Sequence, residues 1–110
     1  MSVFYDYSTG RPSSVLSSIR RRISAFTRLG NVRRFKIGIT NNPDRRWRES
    51  YKFAYDEMLV VYQSSSINCV SQVEYELVNH NWNHCENLVS GGGGGIGSFG
   101  PYYLYVVVKY

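Results

Sequence analysis

The chain has 110 residues, 43% of them apolar, and a formal net charge of +5. That length supports one domain with a modest core, and no apolar run approaches the roughly 18 residues of a membrane span. Two cysteines are too few for a disulfide framework and fit a reducing intracellular setting.

The start, "MSVFYDYSTG", lacks the basic-then-apolar layout of a secretory signal and is a short aromatic stretch that breaks at Gly10 and Pro12. In "SSVLSSIRRRISAF", Val15, Leu16, Ile19, Ile23 and Phe26 recur at helical spacing, with Ser13 or Ser14 available as a cap. Arg20, Arg21 and Arg22 cover its other faces, and Gly30 with Asn31 ends it. "RRFKIGIT" alternates, with Phe35, Ile37 and Ile39 facing one way and Lys36, Gly38 and Thr40 the other, which predicts a strand. "NNPD" is turn chemistry, and Pro43 suits the first turn of a helix over "DRRWRESYKF". "EMLVVYQ" reads as a second strand. "SSSINCVSQVEYELVNHNW" opens with serine caps and sets Val70, Val73, Leu77 and Trp82 on one helical stripe. "ENLVSGGGGGIGSFGP" is a glycine-rich loop, and "YYLYVVVKY" closes the chain as a strongly β-forming strand.

This order predicts an α/β (α+β) domain in layers, with a small three-stranded antiparallel sheet flanked by helices. Residues 1–110 form a single domain, with 1–33 a basic helical extension and 34–110 the core.

The charge is unevenly placed. Residues 1–50 hold 11 Lys/Arg against 3 Asp/Glu, and residues 51–110 hold 2 against 5. Clustered cations attract phosphates and release counterions on contact, so the basic half predicts a polyanion partner. Ten tyrosines add surfaces on which bases stack. The expected partner is DNA, with RNA left open, and no membrane. The expected location is cytoplasmic or nuclear, and the oligomeric state is open, a monomer included.

A strand ending in "KIGIT" and followed by "NNPDRRW" resembles the second half of the GIY-YIG nuclease signature, in which a Tyr-Ile-Gly strand runs into a turn and an arginine-bearing helix. "VEYELV" is similar to that family's helix with a metal-binding glutamate, since Leu77 and Val78 follow Glu74 by three and four positions. "ENL" places Asn87 near the family's asparagine, so the likeness covers residues 35–89. Counting eight residues from Gly38 puts the family's arginine at Arg46, beside Trp47. The Gly-Ile-Tyr strand does not precede residue 35; a basic helix stands there. The C-terminal "YYLYVVV" supplies Tyr103-Leu104-Tyr105 instead, which implies a rearranged strand order in which the last strand pairs with 34–40. "VFYDY", with Tyr5 or Tyr7, is the other source of the motif tyrosine. Two departures stand out: Lys36 replaces the tyrosine of Tyr-Ile-Gly, and Ser50 occupies the place of a common His or Tyr, with Tyr51 next to it.

The resemblance implies a metal-dependent endonuclease acting on DNA. Glu74 would hold one Mg²⁺ or Mn²⁺, and Tyr105 would act as general base, its pKa lowered by Lys36 and Arg46. Arg46 would also fork onto two phosphate oxygens. Arg20, Arg21, Arg22 and Arg28 on the first helix, with Arg45, Arg48, His80 and Asn87, would support the nucleic acid. A catalytically inactive nucleic-acid-binding module of the same fold is the alternative, favoured by Lys36 and Ser50. Taken singly, each residue also has an ordinary use: a solvated carboxylate, surface charge, a core aromatic.

Two further patterns compete. His80 and His84 are four apart, and Cys69 and Cys85 would complete a zinc tetrahedron in a zinc-stabilised interaction domain. "GGGGGIGS" invites a phosphate-loop reading, but no Gly-Lys-Ser/Thr follows and a strand comes next. A backbone crossing or a flexible linker accounts for it equally well.

Overall fold

The computed structural model describes residues 2–28, 32–79 and 100–110; Gly30, Asn31, Trp82 and the glycine run lie outside them. Strand β1 (Val3–Ser8) leads to helix α1 (Pro12–Thr27), strand β2 (Arg34–Thr40) and the short helix α2 (Pro43–Arg46), which a π-helical turn (Trp47–Tyr51) continues. Strand β3 (Glu57–Ser64), helix α3 (Ile67–Val78) and strand β4 (Tyr102–Lys109) follow.

The sheet has four strands in the order β1-β3-β4-β2, which corrects the expected three. The predicted antiparallel trio is present as β2, β4 and β3, and β1 adds a parallel edge beside β3. The miss has a physical cause. Only Val3 of "VFYDYS" is buried, so the segment carries almost no hydrophobic alternation and is held by ladder pairing such as Phe4 with Leu59. The C-terminal strand does lie along 34–40, with Tyr105 opposite Gly38. Being central, β4 is covered on both faces, which explains why Leu104 to Val108 are all buried and apolar rather than alternating.

Two cores result. On one face, Ile19 and Ile23 of α1 and Val70, Val73 and Leu77 of α3 pack on Phe35, Ile37, Ile39, Leu104, Val106 and Val108. On the other, Trp47 and Tyr51 pack on Val3, Met58, Val60, Tyr105 and Val107. Each fully buried side chain of this size stabilises by about 1.5–3 kcal/mol, so the first face dominates folding and the second, smaller one frames the site.

Helix α1 begins two to three residues earlier than its serines suggested. Arg11 is its cap residue without a side-chain bond and Pro12 opens the helix, so Ser13 and Ser14 fall inside the first turn. The preceding turn needs Gly10 at φ 114°, and the Tyr62 hydroxyl donates to the Gly10 carbonyl at 2.5 Å. Arg22 then ties α1 to β1, donating to the Asp6 carbonyl at 2.5 Å and to the Ser8 hydroxyl. No helix among the described residues is long and apolar enough to cross a membrane.

Candidate active site

The site begins at a missing side chain. Gly38 faces Tyr105 across the β2–β4 pair, and the tyrosine ring leans over it. A Cβ at position 38 would lie 2.5 Å from the ring's Cζ and 3.0 Å from Cε1, and would run into the hydroxyl as well. Glycine is therefore required by space, because the Tyr105 ring occupies the volume a side chain would take.

Tyr105 is fully buried, and its hydroxyl lies 2.7 Å from that of Tyr51, with either able to donate. The rings meet edge to face, 5.5 Å apart at 62°, and Tyr55 continues the contact from the far side of Tyr51.

Tyr51 reaches that position through the π-helical turn. Lys52 donates its backbone N–H to the Trp47 carbonyl at 2.8 Å, a span of five residues rather than four. Within the widened turn Tyr51 is buried against Tyr105, while Ser50 is left exposed. Of the two neighbours, Tyr51 takes the inward place and Ser50 does not. A single-residue widening leaves no mark in hydrophobic spacing, and the only hint was a tyrosine beside the expected position.

The start of α2 fixes where this helix points. Asn42 caps it, its Oδ1 accepting from the Arg45 N–H at 3.1 Å, and its own N–H donates to the Thr40 hydroxyl at 3.1 Å. Thr40 is buried at the end of β2, so strand and helix are joined by side-chain bonds across three residues. Asn42→Ala is expected to lower stability by about 1 kcal/mol, measured as a shifted urea midpoint at unchanged slope.

Arg46 and Glu74 both act on the buried phenol. The Tyr105 hydroxyl is pushed well above the ordinary phenol range, first by burial, then by Tyr51; Arg46 opposes the rise and Glu74 adds to it. The direction is opposite to the lowering a tyrosine base was expected to need. Burial outweighs the guanidinium, and Lys36, half-buried on the same face, is not among the causes. Glu74 is 4% exposed and shares the inward stripe of α3 with Val70, Val73 and Leu77. Those three belong to the opposite core, so the carboxylate and the phenol come from different layers of the domain.

The tyrosines give a stability prediction. Burial also raises Tyr110, to about 12. These phenols keep their protons in the native state to a higher pH than in the unfolded chain, where they titrate near 10. Their contribution is complete below about pH 10 and is lost as pH rises above it, so stability should fall steeply from there. Tyr105→Phe should make that fall shallower, as read by urea unfolding between about pH 8 and 11.

The remaining predicted residues are spread more widely. Arg45 donates to the Asn41 side chain at 3.2 Å and sits 3.9 Å from Glu49, and Arg48 donates to the Asp44 carbonyl at 3.3 Å. Both are exposed on the layer that carries Arg46. Arg20 and Arg22 belong to α1 on the opposite layer, 3.9 Å from Glu76 and bonded to β1 respectively; Arg21 and Arg28 are exposed there. Tyr5 donates to Asp44 at 2.9 Å, and it and Tyr7 meet Tyr103 edge to face at 6.4 and 5.9 Å. Their strand lies beside β3 rather than β2. His80 and Asn87 lie outside the described residues, as do His84 and Cys85, so the zinc set shares only Cys69 with them.

A magnesium ion keeps several waters and needs one or two carboxylates plus phosphate oxygens. Glu74 is the one buried carboxylate among the described residues, and it stands within electrostatic reach of the phenol. Among the described residues no three His, Cys, Asp or Glu side chains gather around a metal position, so Glu74 would be the single protein carboxylate there for an ion that otherwise keeps its waters. Searches for similar proteins return no matching family model, no matching curated protein and no matching solved structure.

Proposed function

We propose that the chain is a metal-dependent endonuclease that hydrolyses DNA phosphodiester bonds in the manner of the GIY-YIG nucleases. The observation that carries this reading is the Tyr105 ring over Gly38, bonded to Tyr51 and biased by both Arg46 and Glu74. Strand, arginine helix and glutamate helix each contribute a group whose charge or hydroxyl bears on the same phenol, Glu74 from the layer opposite Arg46.

Each group has a task. Arg46 presents a planar fork that can bind two phosphate oxygens and stabilise charge as it develops at phosphorus. Glu74 would hold Mg²⁺ or Mn²⁺, and the bound ion supplies neutralisation of the phosphate and the leaving oxygen. Tyr51, 6% exposed, is the member of the phenol pair nearer solvent; it would accept the attacking water's proton as it passes its own to Tyr105 in the phenolate form, a fraction that grows with pH. Lys36, on the same face of β2 as Gly38, adds positive charge in place of the family's phenol.

One observation favours the noncatalytic binding module. The Tyr105 hydroxyl is fully buried and its pKa is raised, which suits a structural phenol. Incubation of supercoiled plasmid with Mg²⁺, Mn²⁺ or EDTA separates the two. The nuclease predicts open circles only with metal, at a rate that climbs with pH through about 7–10 because burial keeps the Tyr105 phenol protonated well above the ordinary range. DNA retained in a gel shift but intact with every metal would leave the binding module.

A further inference from the structure

A second cationic feature lies at the other end of the paired strands. Arg33, Arg34 and Lys109 line a cavity of about 210 Å³. At roughly 30 Å³ of liquid per water, that space takes a phosphate group together with several waters. The three cations converge because the ladder brings them together: Arg34 is paired with Lys109, and the Arg33 N–H donates to the Lys109 carbonyl at 2.7 Å. The Arg34 guanidinium lies over the Tyr55 ring, 5.8 Å from its centroid, which holds a long side chain at the rim. Asp56 is 3.5 Å from the Lys109 ammonium and also accepts the Tyr110 N–H at 2.8 Å. Among the described residues the cavity lining is cationic throughout, with Asp56 against one of the three cations.

Register connects this cavity to the candidate site. Alternation puts Arg34, Lys36 and Gly38 on one face of β2, and their partners Lys109, Val107 and Tyr105 on the same face of β4. Four residues of strand separate Lys109 from Tyr105, or about 13 Å at roughly 3.3 Å per residue. Lys36 stands between. The positive residues thus form a row along the face that carries Tyr105, while Arg20 and Arg22 lie on the other layer.

We infer that the Arg33–Arg34–Lys109 cavity is a phosphate subsite for the nucleic-acid backbone, holding the bound strand at a fixed distance from Tyr105. It rests on the nuclease reading only for the statement that this is the strand being cut; as a binding site it stands without it. Neighbouring phosphates of one strand lie roughly 6–7 Å apart along the winding backbone, so the subsite engages a phosphate about two nucleotides from the one approaching the Tyr51–Tyr105 pair. The ligand chemistry is a phosphodiester, with no base readout, because all three groups are charge donors aimed at oxygen.

The test is the salt dependence of binding, without divalent metal, of a fluorescein-labelled DNA duplex. Each phosphate contact contributes a slope of about 0.9 in log K against log salt, so one lost contact weakens binding about tenfold near 0.1 M salt. Arg33→Gln/Arg34→Gln strips two of the three cations from the one phosphate and should lower the slope by up to about 0.9, while Arg33→Lys/Arg34→Lys should retain it. Lys109→Gln, made separately, should lower it by a smaller part of that amount and serves should the double variant fail to fold. An unchanged slope in folded Gln variants overturns the subsite, whatever the plasmid assay gives. A reduced slope in a protein that never cuts DNA keeps the subsite and removes the nuclease reading.

Discussion

Gly38→Ala is expected to destabilise the protein by about 3 kcal/mol, a loss near the top of the range for overpacking a core. The added methyl would sit 2.5 Å from Cζ of Tyr105, inside any tolerable carbon–carbon contact. Neither neighbour yields easily: Tyr105 is fully buried, and its hydroxyl is engaged by Tyr51. Movement of the ring would break that bond and disturb Val60 and Val107 beside it. In a domain of this size the change should appear as a fall in Tm of about 12–20 °C. Tyr105→Leu shortens the side chain, so Gly38→Ala should cost far less in that background. A double-mutant cycle reads the difference as the coupling between the two positions. Additive effects would mean that the glycine serves something other than the ring.

The second large effect concerns the phenol pair. Tyr51→Phe or Tyr105→Phe each leaves the other hydroxyl buried without its partner, which costs about 1–3 kcal/mol in stability. Removing both at once should be nearly neutral, because no polar group is then stranded. Activity should follow the opposite pattern: a positioned acid–base group contributes about 10²–10⁴-fold, so either variant should slow plasmid nicking by about 10²-fold or more. The double variant should be little slower than either single one, since the two act as a unit. Stability and rate measured on the same three proteins separate a relay from a packing contact. Restored stability with lost nicking supports the relay; unaltered nicking in all three removes it.

The sequence carried the layers well where burial is strong. Phe35, Ile37 and Ile39 alternate because β2 has one covered face and one face toward the site, and the stripe of Val70, Val73 and Leu77 marks α3 against the sheet. Through its likeness to the GIY-YIG signature it led to the last strand lying beside 34–40, with apolar neighbours favouring Tyr105, and that pairing is present. It did not reveal β1, whose residues other than Val3 are not buried and whose backbone ladder leaves no trace in side-chain type. Nor did it reveal the π-helical turn, because one extra residue in a turn is a backbone event between Trp47 and Tyr51. The function of Gly38 was legible only as a gap in a strand; the ring that fills the gap comes from a residue 67 positions later. The direction of the Tyr105 pKa was missed because cations are visible in sequence while the depth of burial around a phenol is not.

The central claim is that Glu74, Arg46 and the phenol pair cut phosphodiester bonds with a divalent ion. It is tested most directly by single-turnover nicking of supercoiled plasmid in Mn²⁺, wild type beside Glu74→Gln. Gln keeps the volume of a buried side chain but removes the charge that would hold the ion. Wild-type nicking that falls by about 10³-fold in the folded variant, with DNA affinity unchanged, is the predicted result. Equal rates in the two proteins, or no nicking by the wild type at any metal concentration, would contradict it.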